Sequence, residues 1–411
     1  MKKEALPLYL FSFFMILPLH ALFPLLPLIR DDLNASYSQI SIFLASLGLV
    51  RLLLAYPSGY LADRFNRKKI LFVSGCLCIG GICFMSFAHT FVMLIVSRIL
   101  IGFGSILCNI TILAILAQIA GQRKGAMMSM NNVVHNAGGI VSPGLAGLLA
   151  KWYDWRISFL SIGLLVLISM LPVMTMLKDS NSAAESFVKN SHGAAKTADQ
   201  HKTSYWAFNL LPVFTLGFFV FFYRSYFRHT LLPFFGKDVF QLDVAQLGFY
   251  FSITAGVAMG IIMLMGHLSD RFGRTIILIP GILLSGLATL ALLLPATINP
   301  FLVCCVLVGL GAIINSMPNI LISDLVPPVA FGRVLGINRM FSDAGYFLGT
   351  IIVGVLLDHF GFYMPLYAIA GYAFLMLLLM VVFIPDKISD HRQSRRYEEG
   401  PSKGPHSADG R

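Results

Sequence analysis

Apolar residues along this chain come in twelve runs of about twenty, separated by short polar breaks. A helix rises about 1.5 Å per residue, so each run is long enough to cross a hydrocarbon layer of about 30 Å. The pattern predicts spanning helices over 6–29, 38–62, 70–88, 91–119, 125–150, 155–177, 206–235, 244–268, 275–294, 299–322, 330–357 and 361–384. Helices are expected because lipid offers an open backbone no hydrogen-bond partner. The short alternating segments of a membrane β-barrel are absent from the pattern. The first run is too long for a signal-peptide core and no small-residue cleavage site follows it, so it is expected to be retained.

Two stretches break the pattern. Residues 178–205, "KDSNSAAESFVKNSHGAAKTADQHKTSY", are polar and rich in Ser and Ala. They predict a flexible linker between a six-helix half at 1–177 and a second at 206–384. Residues 385–411 predict a charged, disordered tail.

Composition agrees with this layout. Of 411 residues, 57% are hydrophobic and 12% charged, with mean hydropathy +0.79. Soluble domains carry about 25% charged residues. The formal charge of +11 suggests nucleic acid at first, but its location argues otherwise. Of the 30 Lys and Arg, 21 fall in the two tails and in the loops after spans 2, 4, 6, 8 and 10. Only Arg30, Lys151, Arg156 and Lys237 lie in the opposite loops. This is the positive-inside asymmetry, so both termini and the linker are expected in the cytoplasm. The six cysteines all fall within spans and read as small apolar packing residues; no metal site is expected.

A charged phrase recurs. "GYLADRFNRKKI" at 59–70 returns as "GHLSDRFGRTII" at 266–277, 207 residues later. The same offset relates Arg30-Asp31 to Lys237-Asp238, Gly102 and Gly104 to Gly309 and Gly311, and Gly125, Gly138 and Gly147 to Gly332, Gly345 and Gly354. These positions are glycines and charges, which apolar composition does not supply by chance. The chain therefore reads as two six-helix halves in the same topological sense. Parallel repeats around a midplane site are a transporter architecture.

The motifs resemble those of the major facilitator superfamily. "G-x-L-x-D-R-x-x-R-K" at Gly59–Lys68 is similar to that family's loop between helices 2 and 3, with Asn66 where the family has Gly. "R-x-L-x-G-x-G" at Arg98–Gly104 resembles its helix 4 motif. "G-I-V-S-P-G-L-A-G" at Gly139–Gly147 resembles, more loosely, the helix 5 motif of its proton-antiporter branches. The resemblance implies an all-α membrane protein of twelve helices, alternating access, and a cavity lined by helices 1, 4, 7 and 10.

The charged phrase is expected to act as a gate built from Gly59, Asp63, Arg64, Arg67, Gly266, Asp270, Arg271 and Arg274. Anchoring a loop inside requires no acid, whereas a carboxylate can sit against a helix N-terminus. The resemblance implies that Asp63 meets the start of helix 11 near 331–335, and by symmetry Asp270 meets helix 5 near Gly125. Arg67, Lys68 and Lys69 read equally as ordinary inside-loop residues. Gly102, Gly104, Gly139 and Gly147 are expected to allow close helix packing, and Pro143 to bend helix 5.

Ionisable groups inside spans are costly and mark function. Five Arg stand there (Arg51, Arg98, Arg224, Arg228, Arg339) against one deep acid, Asp343. Arg339 and Asp343 are four apart, so they pair either structurally or as a proton-linked site. Arg228 is either functional or snorkels to the interface. His20 is either a proton carrier or a packing residue. Arg224 sits in "FFYRSYFRH", which reads as an anion-binding cluster or a lipid-facing belt. Asn109, His135, Asn136, Asn315 and Asn319 complete the expected pathway. The sign of this set favours an anionic or neutral solute over a cation.

The sequence thus predicts a monomeric secondary transporter, not an enzyme, in the cell membrane or an intracellular one. It is expected to exchange protons for a small organic anionic or neutral solute, outward. No ATP-binding motif or cofactor is expected, the drive coming from an ion gradient. Uptake of an organic anion or anionic metal chelate is the alternative direction, and a transporter-like sensor or assembly partner the alternative class.

Overall fold

The computed structural model describes the backbone of residues 5–120, 124–176, 203–272, 275–295, 299–326 and 328–383. It describes their side chains apart from 55–64, 124, 203–209, 265–272, 275–276, 328–330 and 332–333. Each apolar run is a helix: α1 (Ala5–Asp32), α2 (Tyr37–Arg64), α3 (Arg67–Ser86), α4 (Phe91–Ile119), α5 (Lys124–Trp152) and α6 (Trp155–Met176). The second six are α7 (Thr203–Tyr223, then Arg224–Leu231, Leu232–Phe234 and Phe235–Val239), α8 (Val244–Phe272), α9 (Thr275–Leu290 with Ala291–Leu293), α10 (Pro300–Gly311, Ala312–Ser316 and Met317–Leu325), α11 (Pro328–Phe360) and α12 (Tyr363–Phe383).

There is no strand among the described residues. Eleven of the helices are long and apolar enough to cross a membrane, and α9 contributes a shorter apolar stretch, Ile277–Leu293. Residues 178–202 of the expected linker and the tail 385–411 lie outside the described residues; 203–205 already belong to α7.

The repeat is visible as repeated contacts. A methyl built on Gly104 would lie 2.7 Å from the Ser74 carbonyl oxygen and 2.9 Å from the Cys78 nitrogen. One built on Gly311 would meet Ser285 Oγ at 2.8 Å and the Gly281 carbonyl oxygen at 3.5 Å. These pairs differ by the same 207 residues. Gly102 meets Leu47 and Val50 of α2, and Gly309 meets Thr254 and Val257 of α8. Small residues therefore bring α2, α3 and α4, and equally α8, α9 and α10, to backbone contact.

The symmetry is broken in α7 and α10. Pro233 has no N–H for the His229 carbonyl and its ring would clash there. The preceding turn widens to a π-helix, with Thr230 Oγ1 donating to the Ser225 carbonyl at 2.9 Å. Pro318 does the opposite in α10, following a tightened 3₁₀ stretch, Ala312–Ser316. Such interruptions cluster at functional sites.

The halves touch at one end and part at the other. Near the α1–α2 and α7–α8 loops, a methyl on Gly147 of α5 would lie 2.6 Å from the Val244 carbonyl oxygen of α8. Gly248 of α8 meets the Pro143 carbonyl in return. The repeat-related crossing sets Gly354 of α11 on Ser41 of α2. Toward the other end, Gly125 of α5, Gly256 and Gly260 of α8 and Gly336 of α11 have no described residue within 4 Å of an added methyl; the side chains of α2 there are not described. Among the described residues, the bundle is closed at one face and leaves space toward the opposite one.

Candidate functional site: a cationic cavity between the halves

The splayed halves enclose a cavity of about 420 Å³, within the range that accepts drug-sized solutes. Its walls carry Ser12 and His20 from α1, Arg51 from α2, Ser105 and Asn109 from α4, His135 and Asn136 from α5, Arg224 from α7, and Arg339 and Asp343 from α11. A second chamber of about 290 Å³ shares His20, Asn136 and Arg224 and runs on between α5 and α8. Arg228 and Asn315 stand in its wall. The cavity is thus built from more helices than 1, 4, 7 and 10. Residues of α2, α5, α8 and α11 away from the closed face also line it.

Among the described residues, four arginines against one aspartate leave the two chambers formally at +3 with histidines neutral. Arg51 and Arg228 make no hydrogen bond or ion pair among the described residues, although both are partly buried. Arg51 and Arg339 line the first chamber with Asp343, and Arg224 borders both chambers. Arg339 Nε donates to Asp343 Oδ2 at 2.9 Å. The aspartate is 3% exposed and its second oxygen has no partner, whereas Arg339 is 53% exposed to the open cavity. Desolvated like charges with so few counter-ions are unfavourable alone, and an entering anion relieves them.

His20 and His135 stand in the cavity wall, and His229, which lines neither chamber, is buried behind His20. His229 stacks on Phe23 with centroids 3.9 Å apart, and His20 meets the same ring edge-on at 5.8 Å. Arg224 Nε donates to His229 Nε2 at 3.4 Å, and His229 Nδ1 lies 3.3 Å from the Tyr346 hydroxyl. His135 Nδ1 lies 3.3 Å from Ser12 Oγ. His229 and Tyr346 were not among the expected pathway residues. Arg224 and His229 are five apart, a spacing that shares a face only in a π-turn, so ordinary helical periodicity hides the pair. Tyr346 stands three beyond Asp343 on α11, and that spacing was the available signal.

Two expected pathway residues lie elsewhere. Arg98 is fully buried, lines neither chamber, and sits 5.7 Å over the Phe43 ring, with no well-formed hydrogen bond to its nitrogens among the described residues and the Tyr346 hydroxyl nearby. Asn319 also lines neither chamber; its amide oxygen accepts from Asn338 Nδ2 at 3.3 Å.

Of the expected gate residues, Gly59, Asp63, Arg64, Gly266, Asp270 and Arg271 have side chains outside the described set, and Arg274 lies outside the described residues. Arg67 stays within its own half, donating to Gln118 Oε1 at 2.7 Å and the Ala114 carbonyl at 3.2 Å. The glycine-rich motif of α5 has a double place. A methyl built on Gly139 would lie 3.3 Å from the His20 ring, while Pro143 and Gly147 form the crossing with α8.

A polar gate is instead visible at the closed face. Arg30 of α1 donates to Asp238 of α7 at 2.6 Å, and the Tyr37 hydroxyl donates to the same carboxylate at 2.7 Å. The Asp358 carboxylate of α11 accepts from the Tyr37 and Ser38 N–H groups at the start of α2, at 3.0 and 2.9 Å. Its repeat counterpart is the Lys151–Asp243 pair at 2.8 Å, which joins the end of α5 to the start of α8. Even the capping boxes repeat, Ser36 with Gln39 and Asp243 with Gln246.

Two six-helix halves that close at one face around a central polar cavity define an alternating-access membrane transporter. Comparison with known proteins agrees. The chain belongs to the Major Facilitator Superfamily, whose pattern it matches over residues 8–266 and 260–406. It is 23% identical to the fosmidomycin resistance protein of Escherichia coli over 377 residues, covering 88% of this chain and 87% of that one. It is 24% identical to the multi-drug resistance efflux pump PmrA of Streptococcus pneumoniae over 368 residues, covering 84% and 87%. Among solved structures it superposes on the nucleoside transporter NupG with a TM-score of 0.74 at 15% identity, covering 93% and 99%. For a D-xylose–proton symporter the TM-score is 0.73 at 16% identity, covering 93% and 97%.

Proposed function

We propose that this transporter exports a small organic anionic or neutral solute in exchange for protons. The observation that carries this reading is the wall of the cavity, where Arg51, Arg224 and Arg339 face a space of about 420 Å³ with Asp343 as the one carboxylate among the described residues. An anion entering that space gains charge-assisted hydrogen bonds, and a cation meets a repulsive field. The efflux role in the name of one relative, and the resistance in that of another, support the outward direction. With the basic loops on the cytoplasmic side, the Arg30–Asp238 face is the outer one and the cavity opens inward, ready to load.

The coupling group of this reading is Asp343, bound on one oxygen by Arg339 and without a partner for the other among the described residues. The test is uptake of organic anions and cations into proteoliposomes under an imposed pH gradient. Anions are expected to move and to depend on the gradient, with Arg51→Gln and Arg224→Gln each lowering the rate at least tenfold. Movement of cations alone, indifferent to both substitutions, overturns the reading.

A further inference from the structure

The two chambers differ in character, and the difference bears on what the solute looks like. The first concentrates Arg51, Arg339 and Asp343 on α2 and α11. The second has a wall on α8 made of Ala255, Ala258, Met259, Ile262 and Met263, with no polar side chain among them. Ile262 and Met263 are 37% and 48% exposed there. Arg224, His20 and Asn136 border both spaces, so a single molecule can reach from one to the other. An inorganic anion or a small hydrophilic one fills only a fraction of about 420 Å³ and leaves the α8 wall in water.

We infer that the solute is an amphiphilic anion, its acidic group held between Arg51 and Arg224 and its apolar body laid along Met259 and Met263 of α8. This rests on the anion reading above and adds the apolar half and its direction. Unbranched, polarizable methionine side chains adapt to bodies of different shape. The α8 wall therefore sets how tightly a solute binds more than which shape is admitted. Facing it, Ser129 and Asn132 of α5 offer hydrogen bonds to polar substituents along the body.

The experiment is calorimetric titration of the full chain in lipid nanodiscs, with empty nanodiscs as blank, against methanesulfonate, butanesulfonate and hexanesulfonate. Sulfonates stay ionised throughout, so the head is constant and only the apolar body grows. Burial of each methylene is worth about 0.8 kcal/mol, roughly a fourfold gain in affinity. The series is expected to tighten at least tenfold from methane- to hexanesulfonate. Met259→Asn with Met263→Asn, and separately Ala255→Phe, are expected to collapse that ratio toward one, while Arg224→Gln weakens all three sulfonates together. A flat series in the unaltered protein overturns the amphiphile and leaves the anion reading standing. A steep series untouched by the α8 variants overturns the placement of the apolar body. Failure of every sulfonate to bind, with organic cations binding instead, overturns both readings.

Discussion

Arg30 of α1 and Asp238 of α7 meet at 2.6 Å across 208 residues of chain, and their contact joins the two halves at the closed face. The pair is only 16% and 20% exposed, and the guanidinium also lies 4.5 Å over the Tyr37 ring. Charge-assisted hydrogen bonds of this kind contribute about 1.5–3 kcal/mol, and this one exists only while the face is closed. Asp238→Asn is therefore expected to shift the closed-to-open equilibrium roughly 10- to 150-fold toward opening of that face. Spin labels at Trp152 and Gln241, read by double electron–electron resonance, are expected to report a longer distance in the variant. An unchanged distance distribution counts against the gate.

The Lys151–Asp243 pair makes a pH prediction. The Lys151 ammonium, with the Val244 and Ala245 N–H groups behind it, holds the Asp243 carboxyl below its ordinary value. A depressed acid contributes stability above its ordinary value of about 3.9 and loses it as pH falls through the lowered one. The same label distance is expected to hold constant from about pH 8 to pH 5 as far as this pair decides it, and to lengthen only below about pH 4. A transition near neutrality that survives Lys151→Met belongs to other groups.

Gly147 faces the Val244 carbonyl so closely that no side chain fits while α5 and α8 touch. Gly147→Val is expected to hold the closed face open, with normal membrane insertion and transport lowered more than tenfold. Gly260→Ala, at a position with free space around it among the described residues, is expected to leave the state described here populated. Labelling of a cysteine placed at the Val244 end of α8 measures the difference.

Arg98 separates stability from function. Its three nitrogens are buried without a well-formed hydrogen bond among the described residues. Replacing even a buried ion pair with apolar side chains is often neutral or stabilising by about 1–4 kcal/mol, and a buried charge without an acidic partner has less attraction to lose. Arg98→Met is expected to melt at the same or a higher temperature than the unaltered protein, and to lose transport if the charge serves the conformational cycle. A strongly lowered melting temperature instead makes Arg98 a structural residue.

Asp343 is the one carboxylate in the cavity wall among the described residues. Asp343→Asn is expected to abolish transport driven by a pH gradient while substrate exchange across the membrane at equal pH persists. Loss of both activities in a folded variant points to a structural role for the Arg339 pair.

Much of this protein was written locally. A run of about twenty apolar residues is a spanning helix wherever its neighbours lie, because lipid leaves the backbone no other partner. So the ends of α4 and α6 fall within a residue of the positions expected. The repeat was equally legible, since Gly104 and Gly311 must each be small to admit a neighbouring backbone. The excess of buried arginine over acid is a property of composition by position and needs no coordinates.

Other features depend on residues far apart in the chain. Lys237-Asp238 was recognisable as the counterpart of Arg30-Asp31, but only the packing of α1 against α7 makes Arg30 the partner of Asp238. His229 reaches Arg224 because Pro233 widens the turn before it, a register that a 3.6-residue period does not reveal. Arg98 and Asn319 have the residue types of a pathway, yet close packing encloses one and Asn338 engages the other. Helix formation and insertion depend on neighbours within a few turns, which a sequence displays. Which end closes, and which charges then share a cavity, depends on how twelve helices divide space between them, and only the tertiary structure decides that.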